Sequence, residues 1–118
     1  MKIHWLDDVE DHDYPAAESY LSLVLHPDDV DTVMSQFPYE VAKTFKAKDL
    51  LRASGLPLLV DDVHVERDLH KISHGVSLSP ILVVNSCETL YVADGYHRLC
   101  AAYQTSSDAE VPCKIVYL

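Results

Sequence analysis

The sequence predicts an α+β domain with a mainly helical first half and a β-β-α-β second half. Two observations carry this. Between Pro15 and His74 the apolar residues recur at helical spacing, in segments broken at Pro27, Pro38 and Gly55. From Pro80 onward short β-branched runs replace that pattern, separated by one polar turn and one alanine-rich helical stretch. Segregating helices from strands in this way favours α+β over an alternating parallel α/β sheet. At 118 residues with 48% apolar content, the chain fits a single domain, 1–118. Residues 1–55 form its helical part and 56–118 its sheet-bearing core.

The elements follow in order. The acidic run Asp7, Asp8, Glu10, Asp11 and Asp13 reads as a solvated loop. Pro15 to Leu25 reads as a helix, with Asp13 near its cap and Tyr20, Leu21, Val24 and Leu25 on its apolar face. A second helix runs from His26-Pro27 to about Phe37, its early aspartates complementing the helix dipole. Pro38 ends it. Ala47 to Ser54 is a third helix, with Gly55 as its left-handed C-terminal residue. Asp61 or Asp62 caps a fourth, which stops at Gly75 and whose core stripe is Val65, Leu69, Ile72 and Val76. Pro80 to Val84 is a strand, Asn85 to Glu88 a turn and Leu90 to Ala93 the return strand. Gly95 to Gln104 is a helix, and Val111 to Leu118 closes the sheet.

Composition narrows the function classes. The net charge of −10, from 9 basic and 19 acidic residues, disfavours nucleic acid as a partner. The basic residues Lys43, Lys46, Lys48 and Arg52 cluster in one window, which reads as a solvated helix face, with a local positive patch as the alternative. No apolar run reaches the ~20 residues of a membrane span, and the N-terminus lacks a signal peptide's apolar stretch. The expected location is therefore the cytoplasm. Three widely spaced cysteines make no CxxC pair, and Cys100 and Cys113 read as small buried hydrophobes.

Chemistry concentrates at Asp94-Gly95-Tyr96-His97-Arg98, where a strand gives way to a helix. The first amides of a helix lack internal partners and favour an anion. Gly95 lets a ligand approach the backbone. Arg98 can offer a bidentate fork to phosphate oxygens, and His97 can donate a hydrogen bond or move a proton. Asp94 can hold a magnesium ion that bridges to phosphate, accept a proton from an attacking hydroxyl, or cap the helix. Upstream, Glu66, His70 and His74 share one helix face, chiefly as a solvated polar surface. Tyr96 either packs at the sheet edge or stacks on a base.

These residues carry a resemblance. Asp94 to Arg98 followed by Leu-Cys-Ala-Ala-Tyr, the strand entry Gly75 to Val84, and the closing Val111 to Val116 resemble the ParB/sulfiredoxin-like fold over about 59–118. The Ala93 to Arg98 signature, A-D-G-Y-H-R, is also similar to that of small bacterial proteins with no established activity. The resemblance implies a small mixed sheet flanked by helices, here with an N-terminal helical extension. In sulfiredoxins a catalytic cysteine follows the glycine; Tyr96 stands there, which removes sulfinic acid reduction through that thiol. In partition proteins the motif binds CTP beside a DNA-binding helical domain, for which no helix-turn-helix follows here. Free serine kinases of this fold carry Asp-Gly-His-His-Arg, matched by Asp94, Gly95, His97 and Arg98 but not by Tyr96. The kinase likeness also asks for an upstream catalytic glutamate, for which Glu66 is the candidate.

The resulting expectation is a phosphate- or nucleotide-binding protein, with small-molecule phosphotransfer left open. Asp94, His97 and Glu66 are its candidate catalytic residues. Gly95, Tyr96, His97 and Arg98 are its candidate anion ligands, ATP or ADP the candidate nucleotide, and Asp94 the candidate Mg2+ ligand. The alternative is a non-catalytic interaction module, with a homodimer or a protein partner, motivated by the acidic surface and the extra helices. A nuclease is disfavoured by the net charge.

Overall fold

The computed structural model describes residues 1–118. It is a mixed α+β structure whose four strands run in the order β1-β4-β2-β3. The elements are α1 (Asp13–Val24), α2 (Pro27–Gln36), β1 (Lys43–Lys46), α3 (Ala47–Ser54), α4 (Val63–Ser73), β2 (Ile81–Ser86), β3 (Thr89–Asp94), α5 (Tyr96–Thr105) and β4 (Glu110–Tyr117). β2 and β3 form an antiparallel hairpin, β4 lies parallel to β2, and β1 pairs antiparallel to β4. The parallel pair β2 and β4 requires a crossover, and the β3–α5 segment supplies it.

Strand alternation divides the core between two faces. Ile81 and Val83 of β2 point to one side, with Val92, Cys113 and Ile115, against Leu50 and Leu51 of α3, Val65 and Ile72 of α4 and Leu99 of α5. Leu82 and Val84 point to the other, with Ala93 and Val116, against Ala17 and Leu21 of α1 and Val30 and Val33 of α2. Period-two alternation on a sheet covered on both sides makes its central strand apolar at every position. That is why Ile81–Val84 is wholly buried.

Several expectations change. The N-terminal helical extension packs as part of the domain, with α1 and α2 covering the second sheet face. The first half also supplies a strand, β1, where a helix face bearing Lys43 and Lys46 was expected. All four β1 residues are exposed, so no apolar alternation marks it; only its pairing with β4 defines it. Lysines on an edge strand discourage edge-to-edge association. The basic window is partly neutralised, since Lys46 and Lys48 pair with Asp108 at 3.8 and 2.8 Å and Arg52 with Asp49 at 3.4 Å. Val76 lies beyond the end of α4 and is exposed rather than in its core stripe. Residues 4–6 also join the fold, as Trp5 bridges to Leu78 and the Leu6 amide donates to the Leu78 carbonyl at 2.8 Å.

The acidic run is not uniformly solvated. Asp13 opens α1 and is 3% exposed. Asp8 bonds Lys114 Nζ at 2.9 Å, which lowers the Asp8 carboxyl's pKa from its ordinary value. Lys114 sits on the inner face of β4, 3% exposed, and its ammonium also donates to Tyr14 Oη at 3.0 Å. A buried lysine remains charged only with such partners.

Candidate functional site

β3 ends at Asp94 and α5 begins at Tyr96, with Gly95 between them at φ +104°. This is left-handed backbone, which a side chain rarely adopts. A Cβ at Gly95 would stand 2.8 Å from Ile81 Cβ and 2.9 Å from Arg98 Nη2. The glycine is therefore needed to let the protein pack on itself, because Ile81 and Arg98 occupy the space a side chain would take. β3 also carries an irregularity here: Leu82 pairs with Asp94 but Val83 with Val92, so Ala93 is an extra residue on the edge strand. Such a bulge re-aims the strand end.

Arg98 is the centre of a partly buried network. Its Nη2 donates to Asp94 Oδ2 at 3.2 Å, to Asp13 Oδ2 at 3.3 Å and to the Pro80 carbonyl at 3.3 Å. Ser79 Oγ donates to the same Asp13 oxygen at 2.6 Å and accepts from the Glu10 amide at 3.1 Å. Arg98 Nε is buried without a partner. Nη2 already serves three acceptors, so a bidentate fork from Arg98 to an anion would require it to give up bonds within the protein. Asp94 does not cap α5, which has no side-chain cap; its carboxylate faces Arg98 instead. Burial raises the Asp94 pKa, against the lowering effect of the Arg98 charge.

Beside this network lies a cleft of about 180 Å³ with no hydrophobic residue in its lining. α4 contributes His64, Arg67, Asp68 and Lys71, spaced i, i+3, i+4 and i+7 on one helix face. The opposite wall is Asp94, Gly95, His97 and Arg98. Neither Arg67 nor Lys71 has a salt-bridge partner within the protein. Asp68 is only 8% exposed, and burial raises its pKa in spite of Lys71, Arg98, His97 and Arg67. The His64 and His97 rings lie 4.9 Å apart, and His97 Nε2 is 3.9 Å from Asp62 Oδ1. Asp62 caps α4 by accepting from the His64 and Val65 amides at 2.8 and 3.1 Å. Those bonds, the Val65 one foremost, lower its pKa.

The structure thus brings Asp94, Gly95, His97 and Arg98 together at one cleft and places two other candidates outside it. Glu66 is exposed and is not on the cleft face of α4. Its helical neighbours His70 and His74 stack on each other with ring centroids 4.0 Å apart. Tyr96 turns its hydroxyl to the Pro57 carbonyl, packing against the loop before α4. No group of three His, Cys, Asp or Glu side chains is arranged to hold a metal. Cys100 and Cys113 are buried, and burial pushes the Cys113 thiol up to about 12.

His64, Arg67, Asp68 and Lys71 were missed at the level of sequence. Their spacing was visible, but the apolar stripe of α4 drew attention to its inner face. Asp13 was missed because nothing local links it to a turn 85 residues away.

No family model matches this chain, and neither the curated proteins nor the solved structures supply a match.

Proposed function

We propose that the cleft between α4 and the start of α5 binds a phosphoanion, with ATP or ADP the leading candidates. The observation that carries this is the pair Arg67 and Lys71. They are two cations without salt-bridge partners on the wall of a cleft with no hydrophobic lining, facing the first turn of α5. The amides of that turn add partial positive charge. Arg98 Nη1 and the His97 ring complete the donors. The hairpin–helix–parallel-strand order of β2, β3, α5 and β4 agrees with the ParB/sulfiredoxin-like resemblance and supports the same reading.

Charge-assisted hydrogen bonds contribute ~1.5–3 kcal/mol each. Arg67→Ala and Lys71→Ala, both changes at residues outside the buried core, are each expected to weaken ATP or ADP binding about tenfold or more. Titration calorimetry on the wild type and both variants measures this. Absence of binding to the wild type, or equal affinity in all three proteins, sinks the reading. Arg98→Ala is a poor first test, because it also removes the partner of the buried Asp13 and the partly buried Asp94 carboxylates.

A further inference from the structure

A second hollow, of about 390 Å³, opens on the other side of the Asp94–His97 turn. Its character is opposite to that of the first: Leu56, Val92 and Ala93 line it, and the Tyr20 and Tyr96 rings stand at its walls. The two hollows share Asp94, Gly95 and His97 as a common wall. Tyr20 comes from α1, on one side of the sheet, and Leu56 from the loop between α3 and α4, on the other. The hollow therefore runs along the free edge of β3, where the bulge at Ala93 bends the strand toward the turn. Tyr20 is 38% exposed although aromatic, and belongs to neither core cluster.

We propose that the two hollows form one bipartite site for a phosphomonoester with an apolar, ring-bearing body. The phosphate sits among Arg67, Lys71 and the first turn of α5, and the ring lies beyond the turn against Tyr20 and Leu56. This rests on the phosphoanion reading above and extends it to the chemistry of the ligand's other end. Three features select this occupant. The shared wall is Asp94, Gly95 and His97 of a single turn, so the proposed ligand has no more than that turn to span. The volume of the apolar hollow falls in the range of small-molecule sites. Apart from Asp94 and His97 of the shared wall, the lining is apolar or aromatic, which suits a ring better than a second anion. A simple aryl phosphate and a nucleoside monophosphate are two sources of the same chemistry.

The test measures dissociation constants for inorganic phosphate, phenyl phosphate and AMP with the wild type, Tyr20→Ala and Lys71→Ala. Ring burial is expected to make at least one of the two esters bind about tenfold tighter than phosphate. Tyr20→Ala is expected to reduce that preference about three- to tenfold while leaving inorganic phosphate unchanged. Lys71→Ala is expected to weaken all the ligands that bind. Preference for phenyl phosphate identifies a simple aryl body, and preference for AMP alone identifies a nucleoside. Equal affinity for phosphate and both esters, with no effect of Tyr20→Ala, overturns the bipartite site but leaves the polar cleft standing. Failure of all three ligands to bind overturns the bipartite site, while the polar cleft stands or falls separately on the ATP and ADP titrations above. Circular dichroism of Tyr20→Ala confirms that any loss is local; if that variant unfolds, Tyr20→Leu, which keeps bulk but not the ring, is read in its place.

Discussion

Two residues carry opposite kinds of constraint around the cleft. Gly95 is fixed by geometry. Its backbone is left-handed, and the side chain of Ile81 and the guanidinium of Arg98 occupy the space a Cβ would need. Gly95→Ala is expected to destabilise the protein by about 2–4 kcal/mol, combining backbone strain with overpacking. Urea unfolding reads this directly, and an unchanged midpoint would show that Ile81 and Arg98 yield at little cost. Asp68 is constrained by electrostatics. Its pKa is raised, so the native state holds its proton more tightly than the unfolded chain does. The stability that Asp68 lends is therefore full below the unfolded carboxyl value, roughly 3.9, and is lost as pH rises through the folded value. At pH 7 the ionised carboxylate is a liability that Asn would remove. Asp68→Asn is expected to stabilise the protein by about 1 kcal/mol at pH 7. The gain should shrink as pH falls below the folded pKa. The same change removes a negative charge from the cleft wall and should strengthen phosphate binding. A variant less stable than the wild type at pH 7 would show an essential role for the carboxylate that the charge argument omits.

At the scale of elements, α1 and α2 are the sheet's second cover. Removing residues 1–40 would expose Leu82, Val84, Ala93 and Val116 together and take Asp13 from Arg98. Such a truncation is expected to bind a hydrophobic dye and to lose cooperative unfolding; a sharp transition would show that the remaining elements suffice. Sequence made most of this architecture readable. The α3 boundaries, Gly55 as its left-handed end, the β2–β3 hairpin and α5 all follow from local chemistry, as does an aspartate cap on α4, which the structure assigns to Asp62 rather than Asp61. β1 escaped because a fully exposed edge strand has no inner face to print on the sequence. The motif of the site was readable for the same local reason, since Asp94 to Arg98 are contiguous. The role of Arg98 was not: its ties to Asp13 and to the Pro80 carbonyl are tertiary. Nor was the α4 wall, because one helix displays several polar faces and only its packing against α5 selects among them.

Over the whole molecule, the radius of gyration is 13.5 Å, the size of a single compact domain of this length. Within it charge is unevenly placed. Three of the nine lysines and arginines, Arg67, Lys71 and Arg98, line one small cleft in a chain of net charge −10. A small anion responds to that local cluster, whereas a long polyanion meets the repulsive field of the remaining surface. On the phosphoanion reading, this charge distribution would favour a small ligand over a polyanion. The guanidinium of Arg98 has a different consequence. It fastens α1, the entry to β2 and the end of β3 at one nitrogen, across 85 residues of chain. The five-residue turn is therefore not portable. Grafted onto another hairpin it would bring its histidine and arginine but not Asp13, and the arginine would lose one of the carboxylates that orient it. Engineering this cleft into a new host means transplanting a three-way junction rather than a motif.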